Sequence, residues 1–543
     1  MTSNRYQRQI GLVNQVGLES LCLHLTGDLD MIISTLAQIN QMGACQLSSG
    51  GSVSIDVDPK SSLIGLMHSW QLPTKKPTKW SDVVETLGPT HGLSRSAPSK
   101  HNHIHFRTRE NWDQNPSSNL QLTVWNGRAV ISDFELIFDS PVQRKSTLID
   151  APIEVAACAV ALQQILLQQG LIRSKTVSDR WLSLSACVEN VSPEDAVDLF
   201  SSELGPITAT NLPDNSGSLL RIRVPLDQTP PELLRLLDHS CLDSETLIPE
   251  GWLSLSPIPV SVVDGVVFDD SPHLPSYLES AAVVVLGAGG LGSWAAPLFA
   301  QGVKLENLQL TLIDGDDSVD EHNLNRQVLY TEDDIGLPKA TQAASRMHNL
   351  FGSNPKILGI QSRLESNHVH EMEITDELKT ISLESLFEYN INQDSNDEKI
   401  KSALDGMELG LACLDNMNSR TLFNRACIIR ESRFVNAGSQ AFEGIVEIFD
   451  SNVCMVCRYG EDAARSREII SCQEVGTRPV ASIVTTTAWT GAMQSAMALL
   501  ILAEDRELIN GDWHHSLVFN KGNVQPKSVV RLPFVNGECI GHV

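Results

Sequence analysis

The chain has 543 residues, with 66 acidic against 40 basic side chains for a formal charge of -26. So acidic a protein repels a phosphate backbone, which argues against nucleic acid and for protein or small-molecule partners, while the length suggests roughly three or four domains. No apolar run reads as long enough to cross a bilayer, the opening MTSNRYQRQIGL lacks a signal-peptide core, and the 11 cysteines are odd in number and scattered. A cytoplasmic protein with reduced thiols and no membrane partner is therefore expected.

In chain order, RYQRQIGL (5–12) and a helical GLESL come first, then LCLHLTGDLDMIISTLAQINQMG, which carries the hydrophobic pattern of a strand followed by a helix. At the turn between the two only Gly27 is a glycine, and Asp28 and Asp30 stand where an anion would sit on a helix N-terminus. QLTVWNG and FELIFDS read as strands, and DAPIEVAACAVALQQILLQQG (150–170) as an apolar helix opened by proline. From about 175 to 255, RWLSLSACV and SLLRIRVPL read as strands and PEDAVDLFSSEL and PPELLRLLDHS as helices, a small α+β insert with no catalytic pattern.

The second half opens on VVVLGAGGLG (283–292). The apolar run is a buried parallel strand; Gly287, Gly289, Gly290 and Gly292 permit a tight turn, and the following helix offers unpaired N–H groups to phosphate. TLIDGDDSVDEHNLNRQ (311–327) then supplies Asp314, an acid suited to a ribose, followed by Asn323, Arg326 and Gln327; GLPK supplies Lys339. A nicotinamide enzyme needs the acid but not the cations, whereas cleavage of a triphosphate needs groups that stabilise charge on phosphorus and on departing pyrophosphate. GLACLD (410–415) ends in Asp415, suited to holding magnesium against those phosphates. The stretch NQDSNDEKIKSALDG within 365–409 is polar enough to be mobile. Cys454 and Cys457 form CMVC after the strand IVEIFD, and ECIGHV places Cys539 and His542 at the same spacing, a four-ligand set for structural zinc. Cys413 and Cys427 read as core residues, and His514 and His515 have no evident partner.

The ordered set GAGGLG, LID, NLNRQ, GLPK and LDN across roughly 281–502 resembles the ubiquitin-activating-enzyme superfamily, the ThiF/MoeB-type adenylyltransferases that include activators of sulfur-carrier proteins. The resemblance implies an α/β fold. It implies two Rossmann-like adenylation domains forming an intramolecular pseudo-dimer: 1–172 a degenerate inactive copy, 173–255 the linking insert, and 256–543 the active ATP-binding domain with its crossover loop and zinc site. Asp314 would bind the ribose of ATP, Asn323, Arg326, Gln327 and Lys339 its phosphates, and Asp415 Mg2+. GDDSVDEHN carries one residue more than the family pattern between Asp314 and Asn323, which leaves the role of Asp316, also assigned to the nucleotide site, and of Asp317 open.

By the same resemblance Arg8 of RYQRQ would reach in trans to the ATP of the other half, and Cys472 in SCQEVGTRPVAS would be the crossover-loop nucleophile, its thiol activated by Arg478 or a helix N-terminus. The implied activity is adenylation of the C-terminal carboxylate of a ubiquitin-like protein, thioester formation on Cys472 and transfer to a conjugating enzyme, as in prokaryotic ubiquitin-like conjugation systems, antiphage defence among them. The alternatives are adenylation of a sulfur-carrier protein for molybdopterin, thiamin or thiolation pathways, and a non-catalytic scaffold that binds a ubiquitin-like protein.

Overall fold

The computed structural model describes, short breaks aside, residues 4–107, 120–172, 252–369, 391–449, 454–459 and 482–503, together with strands within 181–225 and 515–528. The first half contains β1 (Cys22–Gly27), β2 (Ser52–Ile55), β3 (Asn102–Arg107), β4 (Leu120–Trp125), β5 (Arg128–Ser132) and β6 (Ile137–Phe138), with helices α1 (Leu29–Met42), α2 (Trp80–His91) and α3 (Asp150–Gln168). After α3 the chain forms a separate three-stranded sheet from β7 (Trp181–Glu189), β8 (Ile207–Asn211) and β9 (Gly217–Pro225). It then returns: β10 (Trp252–Ser254) pairs antiparallel with β5, and the hairpin of β11 (Ser261–Val263) and β12 (Val266–Phe268) pairs with β6. Segments that the sequence assigns partly to the insert and partly to the C-terminal half thus pair with the first half, because three-residue strands are too short for their period to show. The sequence-expected strands RWLSLSACV and SLLRIRVPL correspond to β7 and β9; the two expected helices of the insert lie outside the described residues.

The second half contains β13 (Ala281–Leu286), α4 (Gly292–Gln301), β14 (Leu308–Asp314), α5 (Lys339–Phe351), β15 (Lys356–Gln361), α6 (Ile391–Asp405), β16 (Leu409–Ala412), α7 (Met417–Ile429), β17 (Arg433–Gln440), β18 (Glu443–Phe449), α8 (Met455–Tyr459), α9 (Val484–Leu502), β19 (His515–Asn520) and β20 (Asn523–Ser528). α6 takes up the polar stretch expected to be mobile. Ile400 and Leu404, four residues apart and both fully buried, anchor one face of it, and His368 Nε2 meets Asp397 at 2.9 Å on another.

The first sheet runs β2-β1-β3-β4-β5-β10, parallel as far as β4 and antiparallel beyond. The second runs β15-β14-β13-β16-β17-β18-β19-β20, parallel from β15 to β17 and antiparallel after it. With the edge strands β15 and β20 set aside, the two sheets have the same order and the same strand directions, and in each half a long apolar helix falls in the chain between the two antiparallel strands, β5 and β10 or β18 and β19. These two helices, α3 and α9, lie against each other, with Thr485 Oγ1 donating to Gln163 Oε1 at 2.8 Å across the seam. One continuous hydrophobic core runs through both halves.

The α3 helix is long and apolar enough to span a membrane, contrary to the expectation that no run reaches that length, and its apolar window is wholly buried in the protein. The seam accounts for that composition: a helix packed on a sheet by one face and on α9 by another has no side left to wet.

Candidate nucleotide site

The β13 strand lies between β14 and β16, so the chain departs in opposite directions from its two neighbours and opens a crevice at their carboxyl ends. The glycine turn fills that position. Gly287 has φ +98°, and a Cβ there would lie 2.6 Å from the Cys413 carbonyl oxygen; a Cβ on Gly292 would lie 1.9 Å from the Gly287 carbonyl oxygen. Neither position admits a side chain, and the turn brings the amino end of α4 to the crevice. Gly289 and Gly290 face the opposite requirement: Gln327 Nε2 and Arg326 Nε lie 3.7 and 3.5 Å from where their Cβ atoms would be. The residues of NLNRQ therefore meet the glycine turn directly.

Asp314, at the end of β14, is buried and accepts from the Ala288 N–H at 2.6 Å and the Asp316 N–H at 2.8 Å. Burial pushes its carboxyl above the usual range, with the Lys339 ammonium acting in the other direction. Lys339, the first residue of α5, is nearly buried and ion-paired with Asp316. Asp316, whose role the sequence leaves open, is thus the ion partner of the lysine. Asn323 closes its own turn, accepting from the Asp320 N–H at 3.2 Å. The Arg326 guanidinium donates to the His322 carbonyl at 2.8 Å and to Asn325 Oδ1 at 2.9 Å, and its carbonyl accepts from Trp294 Nε1 at 3.0 Å. The Tyr330 hydroxyl donates to the carbonyls of Ala288 at 2.7 Å and Lys339 at 3.2 Å, tying the glycine turn to α5. Tyr330 and His322 carry no mark in the sequence: a single tyrosine or histidine beside a motif has no spacing to single it out.

Arg8 comes from the first half and is 7% exposed. Its carbonyl accepts from the Ser482 N–H just before α9 at 3.0 Å, and its charge acts on His322 together with those of Arg326 and Lys339. Arg5 meets Glu332 of the second half at 3.8 Å. RYQRQ thus lies against the second half's site. Arg8 Nε and Nη2 are buried without a hydrogen-bond partner, as is Gln327 Oε1.

The matching position of the first half is filled. After Gly27, Asp28 caps α1 by accepting from the Met31 N–H at 3.2 Å, and Asp30 accepts from the His68 N–H at 2.9 Å. His68 Nε2 meets Glu154 of α3 at 2.9 Å, both side chains being buried. Burial drives the Glu154 carboxyl up to about 7, with His68 opposing.

Asp415 is exposed just past β16, while Asn416 beside it caps α7 by accepting from the Ser419 N–H at 2.8 Å. Cys454 and Cys457 are buried at the start of α8, with the Cys457 N–H on Cys454 Sγ at 3.3 Å. Among the described residues, no group of three or more histidine, cysteine or acidic side chains is arranged to hold a metal. Cys539 and His542, the other two expected zinc ligands, and Cys472 and Arg478 lie outside the described residues. Cys413 and Cys427 are buried, as expected of core residues, and burial raises both thiols far above the ordinary range.

Residues 273–528 match the ThiF family. The chain is 27% identical over 251 residues to the SAMP-activating enzyme E1 of Haloferax volcanii, covering 45% of this chain and 76% of that protein. It is 27% identical over 233 residues to the molybdopterin-synthase adenylyltransferase of Salmonella typhimurium, covering 42% of this chain and 74% of that one. It is 26% identical over 231 residues to the sulfur carrier protein ThiS adenylyltransferase of Escherichia coli, again covering 42% and 74%.

Proposed function

We propose that this protein adenylates the C-terminal carboxylate of a ubiquitin-like protein and then carries it as a thioester on Cys472 for delivery to a conjugating enzyme. The observation that carries the reading is the meeting of two halves at one site: a glycine turn, Asp314, Arg326 and Lys339 from the second, and Arg8, with buried unpaired donors, from the first. The family match of the second half supports an adenylyltransferase, as do the names of the relatives above, one an activating enzyme E1 and one an adenylyltransferase of a sulfur carrier protein.

In this mechanism the α4 amino end and Arg326 bind the phosphates, while Asp314 holds the ribose and keeps the glycine turn closed on it. Lys339 exchanges Asp316 for a phosphate oxygen. The carrier's carboxylate oxygen attacks the α-phosphorus, the bond to the β-phosphate oxygen breaks, and pyrophosphate leaves with its charge spread over Arg8, Arg326 and Lys339. Magnesium at Asp415 would add charge neutralisation at those phosphates. The Cys472 thiolate then attacks the acyl carbon and AMP departs. In the first half Asp28, Asp30 and Glu154 place carboxylates where phosphates would lie, so that half supplies Arg8 and no second nucleotide site. Cys454 and Cys457 fit half of a tetrahedral zinc site, completed by Cys539 and His542 of the tail.

The test is pyrophosphate exchange into ATP with candidate ubiquitin-like carriers, beside a non-reducing gel, for wild type, Asp415→Ala and Cys472→Ala. Exchange that needs Asp415 and a thiol-sensitive adduct that needs Cys472 support the reading; no exchange with any carrier overturns it in favour of a scaffold. The second reading, a sulfur-carrier adenylyltransferase, is favoured by the similarity to the molybdopterin and ThiS enzymes. It predicts exchange without a thioester passed to a conjugating enzyme.

A further inference from the structure

His322 is the middle residue of a single turn, Glu321–Asn323, whose backbone is held on both sides: Arg326 Nη1 on the His322 carbonyl, and Asn323 Oδ1 on the Asp320 N–H. The backbone of the turn is thereby held, and the His322 Nε2 is buried with no hydrogen-bond partner. The charges around it come from three elements. Arg8 approaches from the first half, Arg326 from the turn that follows, and Lys339, with Asp316 on its ammonium, from α5. The first-half segment packed against this turn also brings Arg5, which is paired with Glu332. Burial, and after it these three cations, push the imidazole down to about 3, so the ring is neutral in the ligand-free protein.

A neutral imidazole with an unused buried nitrogen and an arginine, Arg8, whose Nε and Nη2 are buried without an acceptor both call for the same partner, an anion. We propose that His322 is a further phosphate ligand of this site, which takes up a proton as the triphosphate arrives and donates from Nε2 to a phosphate oxygen. The inference rests on the adenylation reading and adds to it a residue and a proton. The negative charges of the triphosphate cancel the field of Arg8, Arg326 and Lys339 at the ring, so the affinity of the ring for a proton rises on binding. The sign follows. A group whose bound-state pKa lies above its free-state value strengthens binding at low pH, and that contribution is lost as pH rises through the bound-state value. Nucleotide affinity therefore carries a pH dependence beyond that of the nucleotide's own phosphate.

The experiment is calorimetric titration of full-length protein with magnesium and α,β-methylene-ATP, in buffers of different protonation heat, for wild type, His322→Gln and His322→Lys. Proton uptake by the nucleotide itself is common to all three and cancels in their difference. Near about pH 6, wild type should take up close to ~1 proton more than His322→Gln and bind about 10-fold more tightly, the scale of one charge-assisted hydrogen bond. By about pH 8 that advantage should shrink to roughly 2-fold, and His322→Lys, a permanent cation, should show neither the extra proton nor the loss with pH. Equal proton counts and parallel pH profiles in wild type and His322→Gln overturn the role of His322 and leave the nucleotide site standing. Failure of all three to bind the analogue overturns the adenylation reading and this proposal together.

Discussion

Arg8→Met separates a functional arginine from a structural one. In the protein without nucleotide, Arg8 is 7% exposed, and Nε and Nη2 are buried with no acceptor. A buried donor left unpaired costs about 1–3 kcal/mol, and methionine matches the length of the stem while removing the donors and the charge. The Arg8 carbonyl that receives the Ser482 N–H at 3.0 Å is untouched by the change. The ligand-free variant should therefore be as stable as wild type or more stable by about 1 kcal/mol, a rise in Tm of roughly 2–4 °C for a unit of this size. With nucleotide bound the sign reverses. An arginine supplied across an interface to a transferring phosphoryl group contributes on the order of 10³ in rate, so pyrophosphate exchange should fall by about 10²–10³-fold. Thermal denaturation without nucleotide, followed by exchange on the same preparations, measures both quantities. A Tm lowered by several degrees with exchange within roughly threefold of wild type would refute the reasoning, because it would make Arg8 a packing residue whose donors do nothing for the phosphates.

Lys339→Met should cut exchange to ~1% of wild type or less while lowering stability by less than ~1 kcal/mol, since the Asp316 side chain is 35% exposed and regains water when its partner is lost; exchange and melting curves on one sample check this. Asp316→Asn should instead tighten ATP by a few-fold, by freeing the ammonium, and a nucleotide titration reads it directly. Gly292→Ala puts a methyl 1.9 Å from the Gly287 carbonyl oxygen, so the turn must move; the prediction is loss of ATP binding and a stability cost of about 2–4 kcal/mol by urea denaturation. Burial raises Glu154 from its ordinary 4.5 to about 7, and the raised direction means the folded state binds the proton more tightly than the unfolded state. Stability from this group is present below 4.5 and lost as pH rises through about 7, so Glu154→Gln should flatten the pH dependence of unfolding in that window.

What the sequence disclosed and what it concealed divide along chain distance. The glycine turn, Asp314 and the NLNRQ run were legible because each is a local pattern whose residue types have one chemical use, and the turn does bring Arg326 and Gln327 against Gly290 and Gly289. The pairing of Lys339 with Asp316 and the unsatisfied ring of His322 were not, because both depend on where α5 and the first half come to rest. The seam bond between Thr485 and Gln163 joins residues 322 apart, and nothing in either neighbourhood announces it. A polar stretch read as mobile became α6 because two apolar residues four apart outweighed its composition.

The first half shows the same division in the sharpest form. Its loss of glycines and gain of Asp28 and Asp30 stood in plain view, whereas the buried His68–Glu154 pair joins residues 86 apart and needed the fold to be seen. Acidic residues at an exposed turn are easily neutralised or moved, whereas this pair is buried. Glu154 on α3 is bonded to His68, whose backbone N–H is held by Asp30, so a buried side-chain pair stands beside the turn that Asp28 caps. The same α3 packs on α9, which begins beside the Arg8 carbonyl. The His68–Glu154 pair is thus linked, through the α3–α9 seam, to the segment that holds the Arg8 carbonyl. Restoring glycines at the turn after β1 would leave the buried His68–Glu154 pair beside it unchanged.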